Sequence, residues 1–197
     1  MSKVRNSVPL ALCLTLAPLA CSTASAHDVA GTSEAASATS SKPASLPRLP
    51  SPTLAVPEGN QLAFSFDAIG IQIYACQAAA DGFAWQFQAP EASLVDAHDH
   101  GRVAVKHFAG PSWQSVSDGS KVMGQKTASF TENPKAIPAL LLKANAHDGN
   151  GRMSDVTYIQ RLQTTGGLAP EAGCDAAHVG ATAHADYTAT YFFYRTK

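Results

Sequence analysis

The densest group of side chains able to do chemistry is Asp96-Ala97-His98-Asp99-His100. In an extended segment successive side chains point to opposite faces, so Asp96, His98 and His100 would share one face. Imidazole and carboxylate together suit zinc, copper or nickel. A solvated strand end running into a turn at Gly101 accounts for the same residues without a metal. His107 does not obviously complete the set, lying too far along the next strand. His27 is a second candidate, because cleavage after Ala26 would present its α-amine and imidazole together to copper. About 30 flexible residues follow it, and the entropy of ordering them opposes a rigid site.

Other spacings fail on inspection. Asp148-Gly149-Asn150-Gly151 opens like a calcium loop, but Arg152, Met153 and Ile159 stand where an oxygen ligand, glycine and glutamate are required. Gly119-Ser120-Lys121-Val122-Met123-Gly124-Gln125-Lys126-Thr127 misses the phosphate-binding loop, since Gln125 separates Gly124 from Lys126. No Gly-x-Ser-x-Gly elbow, His-Glu-x-x-His helix or Gly-x-Gly-x-x-Gly fingerprint occurs. The sequence asks for no cofactor.

Aromatic residues are the remaining lead: Tyr74, Phe83, Trp85, Phe108, Trp113, Tyr158, Tyr187, Tyr191 and Tyr194. For each, core packing is the simpler role. Trp113 follows Gly110-Pro111-Ser112, a turn, which would set it at a sheet end or pocket mouth. An aromatic pocket in a barrel suits a small apolar or sugar ligand.

Several kinds of element must position these residues. The first 26 residues carry Lys3 and Arg5, an apolar run from Val8 to Ala20 and Ala24-Ser25-Ala26, the grammar of a secretory signal peptide. The run is too short to span a membrane, and Pro9 and Pro18 interrupt it. Leu19-Ala20-Cys21 offers an alternative ending in which Cys21 is lipidated, although Pro18 sits where such motifs normally carry Leu. Residues 27–53 form an Ala/Ser/Pro-rich linker, whose prolines over 41–52 forbid helix. Residues 54–197 make one domain large enough for a core.

The chain has 14 Lys+Arg against 15 Asp+Glu, and removing Lys3 and Arg5 leaves 12 against 15, a net of −3. That charge gives no basic footprint for nucleic acid. Removing the leader also removes Cys13 and Cys21, leaving Cys76 and Cys174. In an oxidising compartment two cysteines are expected to pair; two buried free thiols are the alternative.

Within the domain, apolar residues alternate over short runs: Phe83, Trp85 and Phe87; Val103 and Val105; Tyr187, Ala189, Tyr191 and Phe193. Period two predicts antiparallel strands. Asp118-Gly119 predicts a hairpin in which both residues take positive φ. Asp81-Gly82, His100-Gly101 and Asp148-Gly149 mark further turns. Ala139–Ala146, with Leu140-Leu141-Leu142, is either the one helix or a buried strand. The fold class is all-β, an antiparallel β-sandwich or small β-barrel with long Gly/Ala-rich loops.

From Leu54 to Arg195 the sequence resembles the domain of unknown function 3455 family of exported proteins. The resemblance rests on Val56-Pro57-Glu58-Gly59, Gly70 to Cys76, Trp85 with Pro90 and Ala92, Gly101, and His107 to Trp113. It continues through Asp118 to Val122, Ile159-Gln160-Arg161-Leu162 with Thr164, Gly166-Gly167, Ala169-Pro170, Cys174 and Tyr191 to Tyr194. It implies an exported β-rich domain with Cys76 and Cys174 as family positions, which supports their bridge. It carries no catalytic residues. A dehydrogenase role finds no support, for want of a nucleotide-binding fingerprint and a βαβ rhythm.

The expected function is a non-catalytic exported module that binds a small molecule, a glycan or an envelope partner. Gln72, His107, Trp113 and Asp118 are the expected ligand-binding residues, as polar and aromatic groups in turn-rich motifs. One alternative is a hydrolase with His107 and Asp118 as acid–base pair. The other is a structural envelope protein, in contact with membrane only if lipidated at Cys21.

Overall fold

The computed structural model describes residues 46–96 and 101–197. The signal segment, Cys21, His27, His98 and His100 lie outside the described residues. Eight strands follow in order: β1 Asn60–Ala79, β2 Gly82–Val95, β3 Val103–Phe108, β4 Ser112–Ser115, β5 Lys121–Phe130, β6 Ala139–Asp148, β7 Val156–Gly166 and β8 Thr182–Thr196. Each pairs antiparallel with the next, and β8 returns to β1, closing an up-and-down barrel. Closure removes the sheet edges that an open sandwich would leave unpaired.

Alternation sorts side chains into two clusters. Phe66, Leu94, Val105, Trp113, Leu142, Ile159, Tyr187, Ala189, Tyr191 and Phe193 belong to the main core inside the barrel. The intervening Leu141, Leu162, Phe192 and Tyr194 form a second cluster with Leu54, against which Leu49, Val56, Leu62 and Tyr158 pack. The stretch leading into β1 therefore covers part of the barrel's outer wall. A single 3-10 turn, Pro52–Leu54, capped by the Ser51 side chain, places Leu54 there, and Leu54 is fully buried. Burying such a leucine stabilises by about 2 kcal/mol. Its carbonyl accepts a 2.6 Å hydrogen bond from Gln160 Nε2, and Tyr194 Oη donates to Gln160 Oε1 at 2.7 Å. Burial pushes the Tyr194 phenol up to about 12, so it remains a donor.

Ala139–Ala146 is strand. Leu142 enters the barrel while Leu141 faces the covered outer wall. Both faces are apolar, which erases the alternation a half-buried strand would show. Phe83, Trp85 and Phe87 do alternate on one face, yet Phe83 and Phe87 are exposed. Trp85 serves a loop instead: its Nε1 donates to Ala172 O at 2.9 Å. That loop, between β7 and β8, is also fixed by the Cys76–Cys174 disulfide. With its cysteines 98 positions apart in sequence, the bridge contributes up to about 4.7 kcal/mol in the chain-entropy account.

The Asp118-Gly119 hairpin forms with different geometry from that expected. Gly119 takes φ +74°, but Gln163 is the sole non-glycine with positive φ among the described residues, so Asp118 does not follow. The connection is longer than two residues. Gly119 N donates to Ser115 O, and the Asp118 carboxylate accepts from Ser120 N, turning the chain through its side chain.

Candidate functional site

The even meander gives the barrel two unlike ends. At one lie the β4–β5 and β6–β7 connections, and these plug it. Met153 is fully buried, and the Arg152 guanidinium sits 5.5 Å from the ring centres of both Phe64 and Phe66. Asp118 belongs here. Its carboxylate accepts from Ser120 N at 2.9 Å, Ser120 Oγ at 2.5 Å and Arg152 N at 3.1 Å, tying two turns together. These bonds, that from the Ser120 hydroxyl first, hold its pKa well below the usual carboxylate range. The Asp148-Gly149-Asn150-Gly151 turn is part of the same plug, with Asp148 paired to Lys121 at 3.2 Å.

The other end holds a cavity of about 510 Å³. Its deep wall is aromatic. His107 on β3 and Trp113 on β4 are cross-strand partners and both point inward, stacking at 4.5 Å with planes 7° apart. Tyr191 from β8 meets the indole at 63° and 5.8 Å. Gly124 on β5 makes this possible, since a Cβ there would stand 3.2 Å from Trp113 Cζ3 and 3.4 Å from Leu142 Cβ. Phe87, Pro90, Ile137, Leu140 and Leu142 supply apolar wall, and exposed Lys126 also lines the cavity.

The polar groups are few and unusual. His107 Nδ1 lies 2.9 Å from Ser112 O. A carbonyl can only accept, so Nδ1 carries the proton and Nε2 holds a lone pair. Burial pushes the His107 pKa down to about 3, against the raising effect of the Ser112 bond and with a smaller push from the Arg161 charge. The ring is therefore neutral near pH 7. Tyr74 Oη donates to Gly167 O at 2.6 Å. Gly167, at φ +79°, closes over the site: a Cβ would lie 3.2 Å from Gln72 Cγ and 3.0 Å from Ile137 Cγ2.

Two donors have no partner among the described residues: Gln72 Nε2 and Trp113 Nε1. Both side chains are buried, at 3% and 1% exposure. Leaving a buried donor unsatisfied costs about 1–3 kcal/mol. Arg161 on β7 is 8% exposed, and its Nε and Nη2 both donate to Pro138 O, at 3.3 and 2.9 Å.

Of the expected site residues, Gln72, His107 and Trp113 line one cavity. Asp118 lies at the opposite end of the barrel and cannot pair with His107, so the acid–base pair of the hydrolase alternative does not form. Asp96 follows the end of β2, and no group of three metal-ligating side chains occurs among the described residues. Arg161 was not expected in a site, whereas Tyr74 and Tyr191 stood among the aromatic leads for which core packing was the simpler role. For Arg161 the available signal was its being the only charged residue of the strand Val156–Gly166.

A family model described as "Protein of unknown function (DUF3455)" matches residues 57–195, nearly the whole barrel. No curated protein and no solved structure matches the chain.

Proposed function

The chain belongs to the DUF3455 family, and from that premise we propose that it is an exported, non-catalytic binding barrel that takes a small molecule into its open end. The observation that carries this reading is the pair of orphan donors, Gln72 Nε2 and Trp113 Nε1, on residues lining one 510 Å³ cavity. The volume falls in the range of small-molecule sites, which are mostly apolar with a few convergent polar groups. A bound molecule with an acceptor oxygen would remove a cost that the empty protein carries.

Binding is favoured over catalysis by the state of His107. Its Nδ1 proton is committed to a backbone carbonyl, and no Asp or Glu is among the described residues lining the cavity. General acid–base work needs such a partner or a pKa near the working pH. Export is supported by the Cys76–Cys174 bridge, which suits an oxidising compartment, and by the leader-like first 26 residues. No helix among the described residues is long and apolar enough to cross a membrane.

The test uses a neutral solvatochromic naphthalene dye, 6-propionyl-2-dimethylaminonaphthalene. Saturable binding with a blue-shifted emission is expected, and Leu140→Trp, which fills the cavity, should weaken it about tenfold or more, some 1.4 kcal/mol. No saturable binding, or undiminished binding to Leu140→Trp, would overturn the reading.

A further inference from the structure

Arg161 is the feature of this cavity that packing does not explain. Its guanidinium has five N–H donors, and its described hydrogen bonds go to one acceptor, Pro138 O. No carboxylate pairs with it among the described residues. A buried charge without a counterion costs several kcal/mol, and a backbone carbonyl supplies a dipole rather than the opposite charge. Its field reaches the cavity groups, acting on both His107 and Tyr74.

The surroundings have one sign. The described lining includes two cations, Arg161 and Lys126, and no acid. The neighbouring Gln72 Nε2 and Trp113 Nε1 are donors that lack an acceptor. Buried positive charge, two free donors and no negative charge are complementary to an oxygen anion. The remaining walls, Phe87, Ile137 and Leu140, would desolvate an apolar body. Only one of the cations is buried, because Lys126 is exposed. A single buried charge matches a monoanion, whereas a dianion would bring uncompensated negative charge into a low-dielectric site.

We infer that the ligand is an apolar monocarboxylate, its carboxylate held by Arg161 with Gln72 and Trp113 and its hydrocarbon or aromatic body lying against Phe87, Ile137 and Leu140. This rests on the binding reading above and adds the chemical class of ligand. His107 supports the geometry without neutralising the anion or competing as a cation. It stacks on the Trp113 indole and so fixes that ring's orientation.

Isothermal titration of the full chain with 2-naphthoate and its uncharged near-isostere 2-naphthalenemethanol decides the point. The acid should bind at least about tenfold more tightly than the alcohol. Arg161→Gln should bring the two affinities together, and Arg161→Lys should keep part of the preference. Lys126→Gln, at an exposed position, should leave most of it. Equal affinities, or a preference for the alcohol, would overturn the carboxylate assignment while leaving a binding barrel intact. So would binding of the neutral dye with neither naphthalene compound, or a preference abolished by Lys126→Gln. Failure of the dye as well would remove the binding reading itself. Should Arg161→Gln not fold, the acid–alcohol comparison on the unmodified chain and the Lys126→Gln arm still decide.

Discussion

A buried neutral histidine makes acid stability a direct probe of the site. In the unfolded chain His107 titrates near 6.5, and in the barrel near 3. Between these values the unfolded state binds a proton that the folded state refuses, so stability falls as pH falls through 6.5 and continues to fall towards 3. The loss attributable to His107 is about 2 kcal/mol at pH 5 and about 3 kcal/mol at pH 4, relative to pH 7.5. The perturbed carboxylates also lose stability in acid, but elsewhere on the scale. Asp118 and Asp175 have lowered pKa values, so they contribute stability above about 3.8 and lose it only as pH falls below that. Urea unfolding at pH 7.5, 6 and 5 should therefore show the midpoint falling by about 1 M more in the parent than in His107→Gln over this window. Glutamine can still donate to Ser112 O but cannot titrate. Parallel pH profiles for parent and variant would refute the account. So would a folded-state imidazole titration by NMR with its midpoint near 6.5.

Two further outcomes follow from packing and hydrogen bonding. Gly124→Ala places a methyl 3.2 Å from Trp113 Cζ3, with Leu142 Cβ at 3.4 Å and Ile159 Cδ1 at 3.5 Å behind it; a loss of about 1–3 kcal/mol is expected, with an altered near-ultraviolet dichroism of the displaced indole. Gln160→Leu removes the donor to Leu54 O and the acceptor of Tyr194 Oη in one change; a loss of about 2–4 kcal/mol should accompany faster proteolysis before Asn60, with the barrel itself surviving as a resistant fragment.

The strands that were legible in the sequence are those with one polar and one apolar face. Tyr187, Ala189, Tyr191 and Phe193 recur at every second position because that side of β8 meets the interior core, with Thr188 and Thr190 between them; of Val103 and Val105, Val105 belongs to that core. β6 was illegible because the chain around Leu54 covers its outer side, so Leu140-Leu141-Leu142 is apolar for two separate reasons. Barrel and sandwich could not be told apart, because the deciding contact is the long ladder between β1 and β8, from Asn60↔Thr196 to Ala75↔Thr182. Local periodicity carries no record of which strand a given strand will meet. The site divides similarly. His107 and Trp113 stood out as polar and aromatic residues flanking a turn, and cross-strand pairing then stacked them. Asp118 shared the same kind of motif but works in the turn, since an aspartate serves an Asx turn and a binding site through the same oxygen atoms.

The two ends of the barrel show how such a site can be kept in a stable protein. At the plugged end Asp118 is answered by Ser120 and Arg152, the Arg152 cation by two aromatic rings, and Met153 N by Ser120 Oγ. At the open end the chain leaves Gln72 Nε2 and Trp113 Nε1 without partners and a guanidinium without a counterion among the described residues. Selection for stability alone would fill these positions with apolar residues of similar volume, which often match or exceed buried polar groups in stability. The barrel instead concentrates the deficit where a cavity can admit a ligand, beside an aromatic stack in the cavity wall. Rigidity matters here because a donor that could swing away would find water or backbone, and the cost that favours ligand would disappear. The same residues are then costly to an empty barrel and favourable to a filled one, as the proposed binding role requires.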